Sequence, residues 1–186
     1  MLTAEEIAPK RAVSLSRKSY HQLAESGVYD GRRTQLIYGT VIDMNSMGTP
    51  HANAIRVLNR FFVTITSPEF DVMVQLPLAA SDESEPEPDF AFVSRLGPHI
   101  ADHPQTALLV VEVADSSRRL DLGPKATLYA ECGVVEYWVI DLKAQSTIVH
   151  RSPRRGRYTS TRKVSWSSKL TSKAIPAISA CFADLL

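Results

Sequence analysis

The run ALLVVEVADSS at residues 107–117 limits the fold more than any other part of the chain. Ala107 to Val111 and Val113 are apolar, without the polar alternation of a half-exposed strand, so this strand must be covered on both faces. Covering both faces of a sheet needs a packing layer on each side, which selects an α/β or α+β sandwich. One residue breaks the pattern. Glu112 puts a carboxylate in the middle of the run, where its desolvation has to be offset by a cation or by hydrogen bonds.

The remaining segments fit such a sandwich. SRKSYHQLAESG has helical spacing at Tyr20, Leu23 and Ala24, with a cap at Ser16 and a stop at Gly27. TQLIYGTVIDM reads as two short strands turning at Gly39. PHANAIRVLNRFFVTI sets Ile55, Leu58, Phe62 and Ile65 on one helix face. FDVMVQLPLAA, DFAFV (starting at Asp89), VVEYWVID and STIVHR read as further strands. A helix is expected from Asp121 to Cys132, closed by Gly133. Residues 1–15 read as a flexible arm and 16–186 as a single domain, long enough for a real core.

Several classes fall away. No GxGxxG or GxxxxGK[ST] loop occurs, so the two commonest nucleotide-binding loops are missing. Cys132 and Cys181 make neither a disulfide framework nor a zinc cluster. The apolar runs are strand-length and the N-terminus lacks an apolar signal core, so no membrane span is expected and a reduced, cytoplasmic setting is. Net charge is +1, yet it is unevenly spread. No acid lies between Lys143 and Ala183, while Arg154, Arg155, Arg157, Arg162 and Lys163 all do. Such a face could meet nucleic-acid phosphate or be only a solvated hairpin.

The chemistry-bearing residues cluster around Glu112. Asp89 opens the preceding strand, 23 residues earlier. If the two strands are neighbours, their carboxylates converge on one point, an arrangement suited to a hard divalent cation such as Mg²⁺. In the helix that follows, Lys125 falls on the same face as Leu122, Tyr129 and Cys132, turned toward the sheet. A lysine there needs an anionic partner. Glu112 is one candidate, in which case a purely structural ion pair is the plain alternative. Asp121, four residues before Lys125, is another, though its place near the helix start also suits a cap. Two acids, a lysine and a metal form a phosphodiester-hydrolysis constellation of the PD-(D/E)xK kind, with Pro88-Asp89 as the PD. Ala114 stands where the local lysine would be, so Lys125 must supply the amine from the helix.

PEPDFAFV together with LLVVEVADSSRRLDLGPKATLYAECGVVEYWVID resembles the Uma-two-like restriction endonucleases, and the likeness extends upstream through TQLIYGTVIDMN and His51. The resemblance implies a restriction-endonuclease-like mixed β-sheet flanked by helices. It implies catalytic roles for Asp89, Glu112 and Lys125, with Asp121 ahead of the lysine. The chain departs from the family in its first hairpin. Gln35, Tyr38 and Thr40 occupy positions where the family usually has acids, and the first of those acids would lie near the metal. Gln35 offers a carbonyl oxygen but no charge.

The expectation is a Mg²⁺- or Mn²⁺-dependent endonuclease acting on DNA. Asp89, Glu112 and the carbonyl of Val113 would be metal ligands, and Gln35, His51 and Asp121 would line the site. Cutting both strands suggests a homodimer. The rival is a degenerate member of the fold that binds nucleic acid or a protein partner without cleaving. His51 could equally cap a helix or pack in the core, and His99 with His103 lacks an evident third ligand. Tyr137 and Trp138 read as core, and Asp141 as the start of a turn.

Overall fold

A computed structural model describes residues 13–44, 46–65, 67–95 and 102–186. Residues 1–12 of the arm expected at 1–15, and the His99 position, lie outside them.

Six strands make the central sheet in the order β3-β4-β5-β6-β7-β8. These are β3 (Phe70–Val74), β4 (Phe90–Ser94), β5 (Leu109–Ala114), β6 (Glu136–Asp141), β7 (Ser146–Arg154) and β8 (Arg157–Ser165). Every neighbouring pair is antiparallel except β5 and β6, which run parallel. A parallel pair needs a crossover, and the helical segment between these two strands provides it. A hairpin of β1 (Thr34–Ile37) and β2 (Thr40–Asp43) sits apart, bridged to the loop before β4 through Leu36 and Glu85. Tyr38 and Gly39 both take positive φ, 49° and 70°, as a tight two-residue hairpin turn requires. β9 (Leu170–Thr171) and β10 (Ser179–Ala180) form a small pair near the C-terminus.

The period of two along β5 explains how the two cores arise. Leu109, Val111 and Val113 join Phe90, Phe92, Trp138 and Ile140 on one face. There they pack against Ile55, Leu58 and Phe62 of α2 (Thr49–Val63) and against the C-terminal Ile175, Ile178 and Phe182. Val110 and Ala114 join Ala91, Val93, Tyr137 and Val139 on the other face, under Ala126 and Tyr129. Burying a side chain as fully as Leu58 or Phe62 contributes about 2–3 kcal/mol. α1 (Arg17–Glu25) begins at Ser16, whose hydroxyl accepts the Ser19 N–H at 3.1 Å, and Gly27 ends it at φ +83°.

Three expectations need correction. The crossover helix, α3, starts before Asp121 and is composite: an α turn Arg118–Leu120, a π-helical turn Asp121–Lys125, then Ala126–Glu131. Pro124 has no N–H to donate inside a helix, and the widened turn lies around it. Asp121 is therefore inside the helix rather than its cap. The strand read through residue 80 stops at Val74, because Gln75 turns into the left-handed region at φ 51°. Asp89 stands one residue before β4 rather than within it.

Candidate active site

Asp89 and Glu112 face one another because of register. Phe90 pairs with Val111 and Ala91 with Val110, so the next pair outward is Asp89 with Glu112. Both occupy the parity of Ala91 and Val110, the face covered by α3. Here the ladder gives way to side chains: the Val113 N–H donates to Asp89 Oδ2 at 2.8 Å, and the Asp89 N–H donates to Glu112 Oε2 at 3.3 Å.

Each carboxylate has one firmly held oxygen and one loosely held. Glu112 Oε1 accepts from Lys125 Nζ at 2.7 Å and from the Tyr129 hydroxyl at 2.8 Å, leaving Oε2 with only the long Asp89 contact. Asp89 Oδ2 takes the Val113 N–H and meets His51 Nε2 at 3.1 Å, whereas Oδ1 has only Gln75 Nε2 at 3.3 Å. Asp121 is also here. Ser117 Oγ donates to its Oδ2 at 2.6 Å, and Oδ1 lies 3.9 Å from Lys125 Nζ, buried with no hydrogen-bond partner among the described residues.

The electrostatics follow from burial. Glu112 and Lys125 are each 4% exposed and Asp121 1%. Burial pushes the Glu112 carboxyl up, to about 7, with Lys125 pulling down and Asp121 and Asp89 adding to the rise. Burial likewise raises Asp121, against the pull of Lys125. For Lys125 burial opposes the charge, but Glu112 and Asp121 outweigh it and lift the ammonium above its ordinary value. The lysine therefore keeps its proton, and two strained carboxylates compete for one ammonium. Burial would raise Asp89 as well, yet the hydrogen bond and charge of His51 hold it low. His51 is raised in turn, chiefly by its hydrogen bond to Asp89.

These groups line a cleft of about 820 Å³. Gln35, His51, Gln75, Asp89, Glu112, Asp121 and Lys125 all open onto it, with Arg32 and Arg119 among its other lining residues. Gln35 is buried, and its Oε1 accepts the Glu87 N–H at 3.4 Å. Val113 contributes backbone only, its side chain lying in the opposite core. Another concavity, of about 1010 Å³, is lined by Arg17, His21, Asp71 and Asp102 and holds none of the paired acids. Asp141 does begin a turn, accepting the Ala144 N–H at 2.9 Å, and its other oxygen binds Arg118.

The donor set suits a hard divalent cation: two carboxylates with one loosely held oxygen each, and a third buried acid close by. Among the described residues no three acidic, histidine or cysteine side chains form a ready-made cage. Further ligands would come from a backbone carbonyl and water, which is the habit of Mg²⁺ rather than of Zn²⁺.

Sequence reasoning brought Asp89, Glu112, Lys125 and Asp121 to one place but missed three supporting groups. Tyr129, read as packing, binds Glu112 through its hydroxyl; its position four residues after Lys125 was the available signal. Ser117 holds Asp121, four residues away. Gln75 grips Asp89 through both its side chain and its N–H, which donates to the Asp89 carbonyl at 3.1 Å, and no local pattern announces its left-handed turn.

Residues 17–181 match the family model Uma2, described as "Putative restriction endonuclease". A crystal structure from Anabaena variabilis ATCC 29413, described as a putative nuclease belonging to DUF820, superposes with a TM-score of 0.74. The two share 13% identity over 92% of this chain and 97% of that one, a likeness of fold. No curated protein matches the chain.

Proposed function

This chain belongs to the Uma2 family of putative restriction endonucleases, and we propose that it hydrolyses phosphodiester bonds in DNA with Mg²⁺ or Mn²⁺. One observation carries the proposal: Asp89 and Glu112 face each other in an open cleft, each with a loosely held oxygen, and Lys125 stands against the second acid.

Asp89, Glu112 and the Val113 carbonyl would hold the cation. Bound there, a divalent ion supplies Lewis acidity toward a phosphoryl oxygen and a lowered pKa for water. The protein's own residues do the rest. Lys125 keeps its charge and can orient an attacking water or balance negative charge developing on phosphate. His51 and the Val113 N–H fix one oxygen of Asp89, and Tyr129 fixes one of Glu112, so the other oxygens point where they are needed. Gln35 lines the site with a neutral carbonyl. Breaking both strands of a duplex would call for a homodimer. No described helix is long and apolar enough to cross a membrane.

Gln35 favours a second reading. With no charge where an acid would sit, the chain could bind nucleic acid or a protein partner without cutting. Calorimetric Mn²⁺ titration of wild type, Asp89→Ala and Glu112→Ala, run beside nicking of supercoiled plasmid, separates the two. The nuclease proposal expects binding and nicking in wild type and background levels in both variants. DNA binding with no cleavage in any metal would sink it in favour of the binding module.

A further inference from the structure

We propose that Asp121 is a second seat for the Lys125 ammonium, taking the lysine when Glu112 engages a divalent cation. This rests on the cation site read at Asp89 and Glu112, and it makes Asp121 a positioning residue that acts through Lys125.

The lysine stands between two buried carboxylates. Its Nζ is 2.7 Å from Glu112 Oε1 and 3.9 Å from Asp121 Oδ1. Asp121 is held for an incoming donor. Its Oδ2 is fixed by Ser117 at 2.6 Å, and its backbone carbonyl accepts the Tyr137 hydroxyl at 3.0 Å. The remaining oxygen, Oδ1, is buried without a hydrogen-bond partner among the described residues. A buried carboxylate oxygen left in that state is costly, and such groups in folded proteins call for an explanation. The ammonium beside it is the explanation the geometry offers.

A cation on Glu112 and an ammonium on the same carboxylate repel one another, strongly so in a buried site. Moving Nζ by about 1 Å toward Asp121 would turn the present 3.9 Å approach into a charge-assisted hydrogen bond. The flexible lysine stem can make that move without shifting α3. Glu112 Oε1 would not be left bare, since the Tyr129 hydroxyl stays on it at 2.8 Å. The π-helical turn that carries both Asp121 and Lys125 keeps the two on one face of the helix.

A double-mutant cycle on Mn²⁺ affinity, measured by calorimetry on the full chain, tests this role. Asp121→Asn should weaken Mn²⁺ binding about tenfold when Lys125 is present. In the Lys125→Met background the same change should have no effect, because there is no lysine left to place. An equal loss in both backgrounds would make Asp121 a ligand in its own right and overturn the proposal, as would no loss in either. Ser117→Ala, which frees Asp121 without altering its charge, should weaken binding in the same direction by less, and melting in EDTA reports whether each variant is folded. Wild type that binds no Mn²⁺ would sink the cation site itself. That failure differs from a failure of the Asp121 role, which leaves wild-type binding intact.

Discussion

Glu112 keeps a carboxylate inside a strand whose six residues are all buried, and two donors on one oxygen make that tolerable: the Lys125 ammonium and the Tyr129 hydroxyl. Tyr129→Phe removes the neutral donor and leaves the charge balance alone. Its expected effect is about 1–2 kcal/mol in stability, with a 10- to 100-fold loss in Mn²⁺ affinity or cleavage as Glu112 loses its fixed orientation. Urea unfolding and metal titration on the same sample would show both, and unchanged metal affinity would mean that Lys125 alone orients the acid. A different residue makes a contribution of the opposite sign to the response to acid, because Glu112 and His51 are raised and gain from protonation, whereas this one is lowered. His150 lies near Tyr137 and Tyr158, with ring centroids 5.5 Å from each, its Nδ1 meets Thr161 Oγ1 at 3.0 Å, and its Nε2 is buried without a partner among the described residues. Burial lowers its pKa below the ordinary 6.5. The unfolded chain then binds more protons than the folded one, so this contribution to stability is whole above 6.5 and is lost as pH falls through the lower folded value. His150→Phe should remove this loss, so that the variant's urea midpoint gains on that of wild type as pH falls from about 7 to about 5. A constant offset between variant and wild type across that window would mean that His150 makes no such contribution.

At the level of elements, Glu136 clasps the C-terminal segment to the sheet. One carboxylate oxygen accepts from Trp138 Nε1 at 2.7 Å and from Arg151 Nε at 2.9 Å. The other takes the Ser172 hydroxyl and the N–H groups of Lys173 and Ala174 at 2.9, 2.8 and 3.0 Å. Glu136→Gln would set an amide N–H₂ against some of these donors and leave Arg151 without its counter-charge. The expected loss is about 3–5 kcal/mol, with proteolysis appearing first between β9 and β10; a variant as stable as wild type would show that β9 and β10 hold by apolar packing alone. How much of this was legible varies with the physics behind each element. The continuous apolar run of β5 forced a doubly covered sheet, the period of two placed Asp89 and Glu112 on one face, and helical spacing turned Lys125 toward it, because burial writes itself into periodicity. α3 starts at Arg118, upstream of the expected Asp121, and carries Pro124, a residue that suits a first turn, inside a π-helical turn. The Glu136 clasp was invisible, since all its donors but Trp138 come from 15 to 38 residues downstream and leave no local pattern. Gln35 was readable as a missing charge, while its hydrogen bond to the Glu87 N–H depends on how the β1–β2 hairpin docks.

On the scale of the sheet, the arginines of the β7–β8 turn and the facing acids are separated. Rows of paired residues run from Glu112 through Val139 and Ile148 to Lys163, which fixes the level of the acids on the sheet. Arg154, Arg155 and Arg157 lie at the turn of β7 and β8, six residues or roughly 20 Å along the strands from that level. They point to the end of the sheet away from the acids. These three arginines are therefore poorly placed to hold a backbone whose phosphate enters the cleft. The cleft's own lining offers alternatives. Arg33 is paired with Glu87 and Arg118 with Asp141, but Arg32 and Arg119 have no ion pair among the described residues and line the acid-rich cleft. Each phosphate neutralised by the protein adds about 0.9 to the slope of log K against log salt for duplex DNA. Replacing both Arg32 and Arg119 with Gln should lower that slope by roughly two and weaken binding similarly across sequences. Replacing Arg154, Arg155 and Arg157 with Gln should leave it unchanged, as expected of a solvated hairpin. The reverse pattern, a slope that responds to the hairpin and ignores the cleft, would mean that DNA grips the far end of the sheet. Asp89 and Glu112 would then never meet the phosphate, and the binding-module reading would replace the nuclease.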